Sequence, residues 1–246
     1  MMMMPRVLRV GSLRVPMYGV CAAVGLIAAL WSSLKAARMV GVASEQLWDA
    51  GLFAVMAAFV CSRLLLIVGD VHAFLRLPLV MLALPSFTYG GMVLTAVAVV
   101  VYVRWKGLAL LKVADAWAPC AAVLAAMLSL GRFFEGTEAG MPTRLPWGTI
   151  AAESGGSVRL HPVAVYAAIA SVALVGLLMQ LLKRKMRDGV VAGVALMAGG
   201  AVGFLLDMIT QPVEMRAGAW LDPQQWMAVG AMLAGGLMLT FLKETA

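Results

Sequence analysis

Seven stretches of this chain are apolar for long enough to cross a hydrocarbon core, and little sequence is left over between them. A core about 30 Å thick takes roughly 17–25 helical residues. Runs meeting that criterion lie at about 17–34, 47–69, 89–105, 110–130, 161–182, 189–210 and 225–243. In lipid every backbone N–H and C=O must be satisfied inside the segment, so such runs fold as helices. The expected fold class is an all-α membrane protein with about seven transmembrane helices, in which 1–246 form a single membrane-embedded domain. A further apolar piece at 77–88, L-P-L-V-M-L-A-L-P-S-F-T, is too short and too proline-punctuated to cross. It is expected to be re-entrant or interfacial.

Composition narrows the function classes. With 63% hydrophobic and 13% charged residues in 246, no soluble second domain fits. A net charge of +7 would suggest nucleic acid for a soluble chain, but these basic residues fall between apolar runs, where they set topology and meet anionic lipid. If the helices alternate, Lys35, Arg38, Arg104, Lys106, Lys183, Arg184, Lys185, Arg187 and Lys243 all share one side. That side is expected to be cytoplasmic, with the N-terminus outside and the C-terminus inside. Arg6, Arg9 and Arg14 run against this assignment, whereas every lysine agrees with it. The start, M-M-M-M-P-R-V-L-R-V, lacks the apolar core of a cleavable signal peptide, so none is expected. Cys21, Cys61 and Cys120 each lie in an apolar run without CxxC or Cys/His spacing. They are expected to pack as small hydrophobes, and no metal site is indicated.

Against this background one segment stands out. It reads G-R-F-F-E-G-T-E-A-G-M-P-T-R-L-P-W-G at 131–148 and is followed by H-P-V-A-V-Y at 161–166. Arg132, Glu135, Glu138 and His161 beside membrane-length runs require a wet edge or partners, and ionisable residues at such depth mark functional sites. The alternation of helices makes 131–160 an extracytoplasmic island between helices 4 and 5.

The island and the H-P-x-x-x-Y that follows resemble the prolipoprotein diacylglyceryl transferase family, whose pattern runs G-R-x-G-N-F-x-N-G-E, P-T-x-x-P-W-G and H-P-x-x-L-Y-E. Further matches follow in order: Tyr18-Gly19, Arg63-Leu64, Tyr89-Gly90-Gly91, Asp115 with Ala118-Pro119, and G-F-L-L-D-M-I-T-Q-P at 203–212. The chain also departs from the pattern. Tyr89 replaces the histidine of H-G-G-L, both asparagines of the island are missing, and Ala167 replaces a glutamate. Gly203 and Thr210 stand where arginines are expected, and Asp207 replaces another glutamate.

The resemblance implies a bacterial inner-membrane enzyme that moves a diacylglyceryl group from phosphatidylglycerol to the lipobox cysteine of an exported preprotein, with no cofactor. A thiol of pKa about 8.5 needs a base or a positive field, and the leaving phosphate needs a cation. Arginine suits phosphate, being planar, forked and permanently charged. On this reading Arg132 holds the phosphate with Arg63 behind it, and Glu138, Tyr89 or His161 accepts the thiol proton. Tyr18, Glu135, Tyr166, Asp207 and Gln211 complete the substrate contacts.

Each of these residues also has a structural reading. Arg63 also reads as a cation neutralised by Asp207 or Glu138, Arg132 as a side chain snorkelling to the interface, and His161 as the residue before a helix that opens with Pro162. Tyr18, Tyr102 and Tyr166 fit an interfacial aromatic belt. His72 reads as a loop histidine and Asp115 as the i, i+3 partner of Lys112. Gly199-Gly200 with Gly203 and Gly235-Gly236 permit close helix packing and are not a dinucleotide motif, since no strand precedes them. Two other function classes remain in view. One is a non-catalytic phospholipid-binding paralogue; the other is a small-molecule transporter, for which the chain shows no self-similar halves.

Overall fold

A computed structural model describes residues 7–10, 13–76, 78, 89–136, 140–150, 158–211 and 221–244, with only the backbone given for 7–10, 13–15, 73, 89, 243 and 244. The helices are α1 (Met17–Val40), α2 (Ser44–Gly69), α3 (Val71–Arg76), α4 (Tyr89–Trp105), α5 (Leu110–Glu135), α6 (Val163–Lys183), α7 (Val190–Asp207) and α8 (Pro223–Glu244). Six of them, α1, α2, α5, α6, α7 and α8, are long and apolar enough to cross a membrane, and α4 is a shorter apolar helix of 17 residues. The protein is therefore an all-α multi-pass membrane protein. Two small antiparallel pairs are absent from the sequence reading: β1 (Val7–Val10) with β2 (Leu13–Pro16) ahead of α1, and β3 (Thr149–Ile150) with β4 (Arg159–Leu160) between α5 and α6. Apart from residue 78, the segment 77–88 lies outside the described residues. His72, expected in a loop, is exposed on α3.

Helix ends depart from the ends of the apolar runs where a cap decides the matter. The fourth run was expected to stop near 130, but α5 continues to Glu135 and carries Arg132 and Glu135 on its last turn. It stops at Gly136, whose left-handed φ of 66° turns its N–H back onto the Arg132 and Phe133 carbonyls at 2.9 and 3.2 Å. Glycine takes that conformation without a Cβ penalty.

Contacts between helices fix their directions. Along α1 and α5, Gly131 lies against Tyr18 and Gly25 against Met127, and the Ser32 hydroxyl donates to Cys120 Sγ at 3.2 Å, so the two helices are antiparallel. The same logic holds for α2 and α4, where Gly90 adjoins Leu65 and Phe53 stacks on Tyr102 at 4.1 Å. It holds again for α7 and α8, where a Cβ at Gly200 would come within 2.6 Å of the Ala228 carbonyl, so only glycine allows this backbone approach. Two ends result. A basic end holds Lys35, Arg38, Lys183 and Lys185; an island end holds Tyr18, Arg132 and His161.

Tight packing is concentrated towards the basic end. Ala36 and Ala37 of α1, Leu47 of α2, Val103 of α4, Val113 and Ala116 of α5, Leu178 of α6 and Val191 of α7 form one buried cluster. Asp115 is buried beside it, and the expected pairing with Lys112 is not made. Its carboxylate instead accepts the backbone N–H groups of Gly189 at 2.6 Å and Ala192 at 2.7 Å, capping α7 from a different helix. Lys112 meets Asp188 at 3.9 Å. Burial explains the switch: a carboxylate withdrawn from water gains more from two desolvated backbone donors than from a solvated lysine. All three cysteines are free and buried.

Candidate functional site

Backbone hydrogen bonds frame the site at the island end. The segment 140–143 lies between two others. Met141 N–H donates to the Ile209 carbonyl at 2.8 Å, while His161 N–H donates to the Met141 carbonyl at 3.0 Å and Thr143 N–H to the Arg159 carbonyl at 2.8 Å. Isolated bridges pair Gly140 with Thr210 and Pro142 with Leu160. The end of α7 is thereby tied to the start of α6. The approach is so close that a Cβ on Gly140 would collide with the His161 carbonyl.

His161 is half-buried at the mouth of α6. Its Nδ1 lies 3.4 Å from the Tyr166 hydroxyl, with the two rings edge to face at 6.1 Å. The Trp147 indole Nε1–H donates to the same hydroxyl at 2.8 Å. Arg159 holds the turn bearing Trp147 by donating to the Pro146 carbonyl at 3.2 Å. This chain admits two proton arrangements. If Nδ1–H donates to Tyr166, Nε2 is an acceptor; if the phenol donates to Nδ1, Nε2–H is a donor. One ring is thus able to take a proton or to hold an anionic oxygen.

Arg132 is exposed on the last turn of α5, where a cation also suits the negative end of the helix dipole. The preceding Gly131 lets α1 come close, since a Cβ there would lie 3.0 Å from Tyr18 Cδ2. Tyr18 and Arg132 therefore share one helix junction. Glu135 is half-buried at the end of the same turn. Asp207 closes α7 and faces Asp222 and Gln225 at the start of α8. Gln211 is exposed, directly after the bridged Thr210.

Arg63 and Tyr89 belong to the α2/α4 pair. Arg63 is half-buried with its guanidinium 5.2 Å from the Phe59 ring centre, and the backbone of Tyr89 opens α4 where Gly90 adjoins Leu65. Glu138 lies outside the described residues. Sequence reasoning gave Trp147 no role. The signal was its place in P-T-x-x-P-W-G ahead of H-P-x-x-x-Y, because an indole N–H in such a loop seeks an acceptor.

With this geometry in view, comparison with known proteins is decisive on descent. The family model for prolipoprotein diacylglyceryl transferase matches residues 5–241. The chain belongs to that family. The phosphatidylglycerol–prolipoprotein diacylglyceryl transferase of Bordetella bronchiseptica is 27% identical, across 96% of this chain and 94% of its own length. The enzyme of the same name from Cupriavidus pinatubonensis is 26% identical, across 96% of this chain and 90% of its own. That of Pseudoalteromonas translucida is 26% identical, across 96% and 91%. The match to these family members extends over the helices and the island alike.

Proposed function

We propose that the chain transfers the diacylglyceryl group of phosphatidylglycerol to the lipobox cysteine of exported prolipoproteins, acting as one domain over 1–246 in a bacterial inner membrane. The N-terminus lies outside, the C-terminus in the cytoplasm, and the island at the outer face. The observation that most supports this reading is the Trp147–Tyr166–His161 chain at the same end of the bundle as Arg132 and Tyr18.

In the proposed step a base takes the proton of the cysteine thiol and the thiolate attacks the glyceryl carbon that carries the phosphate. The carbon–oxygen bond breaks, a carbon–sulfur bond forms, and glycerol phosphate leaves with the bonding electrons. His161 is the favoured base among His161, Glu138 and Tyr89, because Tyr166 meets its Nδ1 and so orients the ring. Arg132 stabilises the phosphate charge as it grows. Arg63, Tyr18, Glu135, Asp207 and Gln211 contact substrate around these two.

The test is direct: purified protein, phosphatidylglycerol and a lipobox peptide should yield a thioether-linked diacylglyceryl product detected by mass spectrometry. His161→Gln should lower turnover about 10²–10⁴-fold if the imidazole moves the proton, and Tyr166→Phe should lower it less. A second reading, a non-catalytic phospholipid-binding paralogue, is favoured by Gly203, exposed with open space at its Cβ where the family pattern has an arginine. Phospholipid binding without product, under conditions where a relative is active, would select it. Reporter fusions after Lys185 and near Glu153 should read cytoplasmic and periplasmic respectively; the reverse would overturn the orientation.

A further inference from the structure

A cavity of about 470 Å³ opens at the basic end, between the last turns of α1 and α6 and the first turns of α5 and α7. It is remote from the island site: Asp115 on its wall and Arg132 both lie on α5, roughly 25 Å apart at 1.5 Å per residue. Its charged lining is Arg38, Lys183, Lys185, Asp115 and Asp188. Both carboxylates are engaged, Asp115 by the Gly189 and Ala192 N–H groups and Asp188 by Lys112. Among the described residues, the three cations form no ion pair. The volume is that of a small-molecule site, and the uncompensated charge is positive.

The backbone at Lys185 adds a second observation. Its φ is +48°, in the left-handed region, at the point where α6 ends and its N–H returns to the Leu182 carbonyl at 3.1 Å. That position ordinarily takes glycine, which adopts the conformation without strain. Here the strained residue lines the cavity and supplies one of its charges.

We propose that this cavity is a second, phosphate-binding site in which Arg38, Lys183 and Lys185 hold the phosphate of an anionic phospholipid headgroup or a free phosphate. It is independent of the transfer site. Native mass spectrometry of the full chain in detergent, titrated with dioleoylphosphatidic acid, tests it alongside thermal melts in inorganic phosphate.

Lys183→Ala combined with Lys185→Gly should weaken binding about thirtyfold, roughly fivefold for each cation. Lys185→Gly relieves the left-handed backbone, so the unliganded variant should melt no lower than wild type, and a loss of binding then reports the pocket rather than the fold. Arg132→Ala should leave this binding intact. Stabilisation by inorganic phosphate that the double variant lacks identifies a free-phosphate site, whereas tight binding of the lipid alone identifies a headgroup site. Equal binding of both probes by wild type and double variant, or binding of neither by wild type, overturns the proposal.

Discussion

Asp115 offers the sharpest test of how the bundle is held together. Asp115→Ala leaves the N–H groups of Gly189 and Ala192, now 2.6 and 2.7 Å from its oxygens, without their acceptor. Each unsatisfied buried donor costs about 1–3 kcal/mol, and release of the buried carboxylate from its own desolvation penalty offsets part of the sum. A net loss of about 3 kcal/mol is expected. At roughly 2–4 °C per kcal/mol for a chain of this size, the melting temperature should fall by about 6–12 °C. Asp115→Asn keeps one acceptor oxygen and should lose about half as much. Cys21, Cys61 and Cys120 are all free and buried, so a thiol-reactive fluorophore reports unfolding without added labels. If Asp115→Ala melts within about 2 °C of wild type, the inter-helix cap contributes little and the reasoning fails.

The remaining predictions concern the island end. Arg132→Ala should abolish most lipid transfer and Arg132→Lys should restore only part of it, because a point charge does not reproduce two parallel N–H bonds; wild-type turnover in both variants would reduce Arg132 to an interfacial anchor. Gly140→Ala forces a Cβ into the His161 carbonyl and should lower both melting temperature and transfer, a cost of about 2 kcal/mol or more that a normally folded, active variant would contradict. Gly203→Arg should fold normally, since nothing lies within 4 Å of its Cβ, and should raise the affinity for phosphatidylglycerol; unchanged affinity would show that a cation on this face of α7 does not reach the phosphate.

Much of the architecture was legible because a hydrocarbon solvent restricts the chain to lengths and compositions that can be counted. The third apolar run has the bounds of α4 at Tyr89–Trp105, the second ends with α2 at Gly69 but starts three residues later, and the fifth differs from α6 by one or two residues at each end. What could not be counted was geometry at the helix ends. Hydrophobicity fades near Leu130, but the helix stops where Gly136 turns left-handed, so Arg132 and Glu135 are helical instead of belonging to a loop. Asp115 was misread because Lys112 is its neighbour in sequence, whereas its true partners are 74 and 77 residues away. The pairing of Trp147 with Tyr166 spans 19 residues and depends on how the island folds back; P-T-x-x-P-W-G marks the indole as seeking an acceptor but does not say which. His161 and Tyr166 were legible because H-P-x-x-x-Y fixes both near one helix start.

The distribution of packing bears on how the proposed reaction could take place in this fold. Ala36, Ala37, Leu47, Val103 and Leu178 are fully buried towards the basic end, so the helices are clamped there. At the island end α1 still packs on α5, Gly131 against Tyr18, and backbone hydrogen bonds through 140–143 tie α6 to α7, while among the described residues the α2/α4 pair lies outside that mesh. A transferase that joins a phospholipid to a membrane-tethered thiol must admit both from the bilayer, and under the proposed function the α2/α4 pair, outside that mesh, is where helices part at least cost. The same end has lost cations relative to the family pattern: Gly203 has no side chain, and the Thr210 hydroxyl turns back to the Leu206 carbonyl at 3.0 Å. Neither position offers a charge to phosphate. Under the proposed function, stabilisation of the leaving group therefore falls more heavily on Arg132 than in a relative carrying both arginines, and substitution of Arg132 should be correspondingly more damaging here.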